Sequence, residues 1–145
     1  MAKVSASVVI NKPIQEVFVY TASPVNGPAF IPNLNENTNI NPEQIGLGQT
    51  FDWRFNLAGV DLKGKAEVVE YDPPHKSTIK TSGDSNTTWV YTFQEENGGT
   101  RVTAEVEYEV VERALQKIAN RVVIDKLNQR TAEQMLENLK TILEG

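Results

Sequence analysis

Few side chains in this sequence can carry chemistry, and most are quickly set aside. His75 is the only histidine. It lies in Pro73-Pro74-His75-Lys76, where it could act as a general acid or base. A turn rich in proline is also where an exposed, chemically idle histidine sits, and we read it so. A lone histidine cannot supply a zinc triad, so no metal site is expected. The absence of cysteine removes disulfides, thiolate zinc, iron–sulfur clusters and a thiol nucleophile together. No Gly-x-Ser-x-Gly elbow occurs, so a hydrolase triad has no support. Gly46-Leu47-Gly48 lacks the third glycine and the following helix of a dinucleotide loop, and no cofactor is expected. Asn86-Thr87-Thr88 has the form of a glycosylation acceptor but follows no secretory signal.

Aromatic residues are more informative. Phe51, Trp53 and Phe55, then Trp89, Tyr91 and Phe93, then Tyr108 recur at alternate positions, hence on one face of their strands. Any one of them alone is a core residue. Apolar walls with a few polar tips describe a small-molecule pocket. The hydroxyls of Tyr91 and Tyr108 and the indole of Trp53 or Trp89 are candidates to orient a guest. Gly64 and Ala66 are small on the same face, as if making room. The expected ligand is largely apolar, with one or two hydrogen-bonding groups.

The chain has 145 residues, with 14 Lys and Arg against 19 Asp and Glu, a net charge of −5. That length is about one domain and buries roughly two thirds of its unfolded surface. An acidic chain is poorly suited to a phosphate backbone, so no nucleic-acid partner is expected. No run approaches the ~18 apolar residues of a membrane span. Met1–Ala6 alternates in polarity without an apolar signal core. A cytoplasmic protein without stable membrane insertion, monomeric or weakly dimeric, is the expectation.

The elements that must position the aromatics follow from periodicity. Val4, Ala6, Val8 and Ile10 alternate with polar residues as a strand. Pro13 opens a short helix over 13–22, and a second, interrupted one fits within 24–32. Period two then holds over 34–40 (polar, asparagine-rich), 51–57, 60–71, 76–82, 87–95 and 100–110. The phase slips at Val68-Val69, which predicts a bulge. Asn97-Gly98-Gly99 predicts a hairpin turn. Three- and four-residue steps from Leu115 to Leu143 predict one long helix over 113–144, roughly 45 Å long.

This order sets the fold class: α+β, a curved antiparallel seven-stranded sheet wrapped around a long C-terminal helix, with two short helices after strand 1. A helix is about 10–12 Å across and strands repeat every 4.7–4.9 Å. One helix cannot cover seven flat strands, so the sheet must curl. Large aromatics fill the hollow, or a cavity remains.

The sequence resembles the START/SRPBCC superfamily, the helix-grip fold shared with the major birch-pollen allergen, in its polyketide cyclase/dehydratase-like branch. The carrying residues are Val8-Val9-Ile10-Asn11-Lys12-Pro13-Ile14-Gln15-Glu16-Val17-Phe18, Gly46-Leu47-Gly48, Val68-Val69-Glu70-Tyr71-Asp72-Pro73-Pro74 and Gly98-Gly99-Thr100-Arg101-Val102-Thr103. The resemblance spans essentially the whole chain. It implies a cavity for a hydrophobic small molecule such as a lipid, quinone or polyketide. It also leaves open a cyclase, aromatase or dehydratase, and a chaperone or translation partner. Where the family often has tryptophan at the end of the second short helix, this chain has Phe30. The candidate ligand-binding set is Phe30, Phe51, Trp53, Phe55, Leu62, Trp89, Tyr91, Phe93, Tyr108, Ile118 and Val122. No residue is assigned a catalytic role.

Two charge patterns complete the reading. Asp52 and Arg54 alternate away from the aromatic face and are expected in solvated cross-strand pairs. Arg113, Lys117 and Arg121 form a basic stripe early in the long helix, while Glu133, Glu137 and Glu144 come late. The helix macrodipole prefers the reverse. A solvated face explains the stripe; the alternatives are an anionic ligand group, the acidic edge at Glu105, Glu107 and Glu109, or a partner.

Overall fold

Proline, glycine and asparagine mark the element boundaries. The computed structural model describes residues 2–57, 59–109 and 121–145. In chain order the elements are β1 (Ala2–Ile10), α1 (Ile14–Ala22), a 3-10 turn (Pro24–Asn26), α2 (Gly27–Phe30), β2 (Leu34–Asn41), β3 (Thr50–Leu57), β4 (Val60–Asp72), β5 (Lys76–Gly83), β6 (Thr87–Glu96), β7 (Gly99–Tyr108) and α3 (Arg121–Glu144). Seven strands form one antiparallel sheet in the order β1-β7-β6-β5-β4-β3-β2. This is the expected helix-grip architecture. The expected helical residues before Arg121, and Val110 at the end of the last strand, lie outside the described residues.

Local chemistry accounts for the turns and the curl. Asn97 and Gly98 take φ of 51° and 82° between paired Glu96 and Gly99. Two successive positive φ values make a tight turn whose twist matches the flanking strands. In β4 the pairing slips between Val68 and Glu70, at the predicted bulge, and a bulge bends its strand.

Both sheet edges are protected. Side chains of α3 reach the open edge of β1: Gln129 Nε2 donates to Ser5 O at 3.0 Å and Lys140 Nζ to Val9 O at 2.7 Å. Beyond the strand, Asn11 N donates to Glu144 Oε2 at 2.8 Å. Lys140 also meets Glu144 at 2.7 Å. The Lys140 ammonium, then the Asn11 amide, hold the Glu144 carboxyl below its ordinary range. Specific donors thus offset an acid placed against the macrodipole. At the other edge, β2 pairs irregularly around Glu36 and after Thr38, and Asn39 has φ 51°. A kinked, polar edge discourages pairing with another chain.

Charges line the outer face in solvated pairs from neighbouring strands. Asp52 meets Lys65 at 2.9 Å, Arg54 meets Glu36 at 3.6 Å, and Lys3 meets Glu105 at 3.1 Å. Such exposed pairs contribute little to stability.

Apart from Val68, the described buried apolar residues divide into three groups. Ile10, Val17, Phe18, Phe93, Val102, Leu136 and Leu139 belong to the first, under α1 and α3. Val4, Val106, Tyr108, Ile124 and Ala132 form the second. Phe51, Trp53, Val60, Leu62 and Ala66 form the third, on β3 and β4. Contact between groups falls to partly buried side chains: Ala6 and Trp89 touch the first two, and Leu57 touches the last two.

Gly64 has a different reason from the one its sequence position suggested. It pairs with Trp53 on β3 and Gly83 on β5. A Cβ there would stand 1.9 Å from Ser82 O and 2.8 Å from Trp53 Cζ2. The missing side chain makes space for the protein's own backbone and indole, not for a guest. Gly64→Ala should therefore destabilise the fold by about 2 kcal/mol or more through overpacking, seen as a lower urea midpoint at unchanged slope. At Gly46 a Cβ meets nothing within 4 Å, so Gly46→Ala should stay within about 0.5 kcal/mol of the parent.

Candidate ligand cavity

The three apolar groups fail to close on one another, and a cavity of about 150 Å³ lies where they would meet. Apolar cavities of about this size hold a benzene-sized guest. Its walls take Phe51, Trp53 and Leu62 from the third group, Val4, Tyr108 and Ile124 from the second, and Phe30, Tyr91 and Met135 from the first. Pro24, Gly27, Asn37, Thr81, Ser85, Thr87 and Glu109 also line it.

The structure brings together Phe30, Phe51, Trp53, Phe55, Leu62, Trp89, Tyr91 and Tyr108 around this space. Two expected residues are not among them, and a third is not described. Phe93 packs edge-on against Phe18, ring centroids 5.1 Å apart, and is a core residue. Val122 is 58% exposed. Ile118 lies outside the described residues, as do Arg113 and Lys117; the side chain of Arg121 is likewise not described. His75 is exposed on its turn and does not line the cavity.

Residues that sequence reasoning missed follow the true inner face of α3. That face runs through Ile124, Asn128, Thr131, Ala132 and Met135. Two of these are polar, which weakens the apolar periodicity there and shifted the reading to Val122. Asn37 was missed because nothing in an asparagine-rich strand singles out one amide.

Most polar tips on the wall are already occupied. Trp53 Nε1 donates to Lys65 O at 3.0 Å and Trp89 Nε1 to Thr87 Oγ1 at 2.8 Å. Thr87 in turn shares a hydrogen bond with Thr81. Thr21 Oγ1 donates to Val17 O at 2.8 Å. Tyr108 donates to Asp125 Oδ1 at 2.5 Å. Of the four donors expected to orient a guest, three are thus engaged within the protein. Tyr91 Oη donates to Met135 Sδ at 3.7 Å, and a thioether is a weak acceptor. Asn37 Nδ2 donates to Pro24 O at 2.8 Å, while its Oδ1 is buried without a donor. Among the described residues, no Lys, Arg or His lines the cavity, and Glu109 is its one carboxylate.

A curled sheet gripping one long helix, with two short helices after the first strand and an apolar cavity between sheet and helix, defines a helix-grip protein of the birch-pollen-allergen type. The family described as polyketide cyclase / dehydrase and lipid transport matches residues 1–144, and the chain belongs to that family. Among solved structures it is similar to TTHA0849 from Thermus thermophilus, at 19% identity and TM-score 0.83, covering 99% of this chain and 97% of that one. It is also similar to the di-domain ARO/CYC protein BexL of the BE-7585A biosynthetic pathway, at 18% identity and TM-score 0.72, covering 99% of this chain and 50% of BexL. Ara h 8.0201 matches at 11% identity and TM-score 0.64, covering 99% of this chain and 97% of that one. No curated protein matches the sequence.

Burial pushes the Tyr91 hydroxyl well above its ordinary pKa. A tyrosine whose folded pKa is raised binds its proton more tightly when folded. Stability is therefore complete below about pH 10, the unfolded value, and falls as pH rises beyond it. Spectroscopic titration should show one of the four tyrosines ionising only as the chain unfolds. Tyr91→Phe should remove that component and flatten the alkaline loss of stability.

Proposed function

We propose that this protein binds a hydrophobic small molecule in the cavity between its curved sheet and C-terminal helix. The carrying observation is the unclosed junction of three apolar groups, walled largely by aromatic and aliphatic side chains. A site of that polarity gains affinity from apolar burial and uses few polar groups for orientation. Membership of a family described as polyketide cyclase / dehydrase and lipid transport supports the same reading. Native mass spectrometry of the purified chain, followed by organic extraction, should release a small apolar compound. Stripped protein should bind members of a panel of lipids, quinones and polyketides, followed by the fluorescence of Trp53 and Trp89, which both line the cavity. Ala132→Phe, which places a ring into the cavity wall, should weaken binding at least tenfold while the circular dichroism stays native. A chain that carries nothing and ignores the whole panel would overturn the proposal.

One contact favours a second reading, cyclase- or dehydratase-type chemistry. Tyr108 lines the cavity and its hydroxyl is held by the Asp125 carboxylate behind it. A hydroxyl at the wall backed by a carboxylate suits proton transfer to or from a bound carbonyl compound. Under this reading the protein accelerates deuterium exchange into an enolisable aryl ketone. Tyr108→Phe then lowers that exchange about 100-fold with guest affinity retained. Exchange at the solvent rate in the parent protein would dismiss it.

A further inference from the structure

Resting on the binding reading above, we infer that the polar end of the guest is an acceptor oxygen, such as a carbonyl, held on α3 by the Asn128 amide and the Thr131 hydroxyl. Ile124, Asn128, Thr131, Ala132 and Met135 line the cavity at three- and four-residue steps, hence from one face of the helix. Ile124 and Met135 are fully buried and Ala132 nearly so. Two polar residues therefore interrupt a stripe that otherwise faces the interior. Neither is a strong helix former. A polar side chain at an inward position costs stability unless it finds a partner.

Elsewhere around the cavity the polar side chains are engaged or lack a proton to give. Thr21 and Ser23 donate to Val17 O and Val19 O, one turn back. Trp53 donates to Lys65 O and Tyr108 to Asp125. On β5 and β6, Trp89 Nε1 donates to Thr87 Oγ1 and Thr81 Oγ1 to Ser85 O. The proton shared by the two threonines is then that of Thr87. Asn37 Nδ2 donates to Pro24 O, and its other end can only accept. Tyr91 is turned to Met135 Sδ. Glu109 is exposed, and Ser85 is partly exposed in the loop before β6. Asn128 and Thr131 differ from all of these. Both lie on the inward stripe, and among the described residues neither side chain is hydrogen-bonded. Three positions apart, they stand side by side on the helix. Each has a proton to give. Unmet donors are rarer than unmet acceptors in folded proteins, so the guest atom that answers this pair is an acceptor.

The test uses acetophenone and ethylbenzene, alike in shape and different in the oxygen, with calorimetry on the extracted full chain. In Asn128→Leu the affinity for acetophenone relative to ethylbenzene should fall about tenfold, one hydrogen bond's worth. Thr131→Val should lower the same ratio severalfold. Neither substitution removes a hydrogen bond within the protein, so ethylbenzene affinity should be kept; should Asn128→Leu fail to fold, Thr131→Val decides. Infrared spectra of isotope-labelled acetophenone add a readout that a structural role does not move: the bound carbonyl stretch should rise in each variant. Ser85→Ala should change neither ratio nor stretch. An unchanged ratio in both α3 variants, with ethylbenzene still bound, overturns the anchoring while the binding reading stands. A fall in Ser85→Ala alone also overturns it. If neither probe binds, acetylnaphthalene and ethylnaphthalene give the same ratio for a larger guest. A protein that retains other apolar compounds but neither pair overturns the anchoring. One that ignores both pairs and the whole panel overturns both readings together.

Discussion

One helix has to cover the concave face of seven strands, and the rest of the structure follows from that mismatch of widths. The helix is about 10–12 Å across, while the strands lie 4.7–4.9 Å apart. Curling brings the sheet onto the helix but does not make the areas equal. The apolar side chains therefore settle into three groups, each sealed against a different neighbour: α1 and α3 for the first, α3 and β7 for the second, the β3–β4 hairpin for the third. Interiors normally close to the density of an organic crystal. Here the side chains bury one another within the groups, and space remains between them.

Polar atoms at the wall of an apolar space need partners elsewhere. The aromatic residues show how this is done. Trp53 lays its indole over Gly64 and donates to the next residue's carbonyl, Lys65 O. Trp89 turns its nitrogen to a threonine two residues back in its own strand, and Tyr108 reaches across to α3. The lining is mainly apolar as a result. The small residue at Gly64 serves this arrangement, since any side chain there would strike the Ser82 carbonyl.

The helix that covers the hollow also secures the sheet. Gln129 and Lys140 occupy carbonyls along β1, and Glu144 binds the backbone just past it. An otherwise open strand edge is thereby closed to other chains, and an acid at the negative end of a helix dipole is given two donors. Edge protection, charge compensation and cavity roofing are three uses of one element. They tie the position of the inner face of α3 to the register of the first strand.

Much of this was written in alternation and punctuation. Period-two aromatics placed Phe51, Trp53, Tyr91 and Tyr108 on one face, the slip at Val68-Val69 marked the bend, and Asn97-Gly98 marked the hairpin. These are local rules: a strand has two faces, and only certain residues accept positive φ. By contrast, Phe93 shares the face of Tyr91 yet packs against Phe18 from α1, because the side chain opposite depends on a helix some seventy residues away in sequence. On α3 the cavity wall takes Ile124 rather than Val122, and Asn128 and Thr131 interrupt the apolar pattern that would mark this face in the sequence. The engagement of each indole and hydroxyl, and the isolation of Asn37 Oδ1, come from partners that no periodicity encodes. Sequence determined which residues face inward; only the packing of distant elements decided which of them touch one another and which leave room.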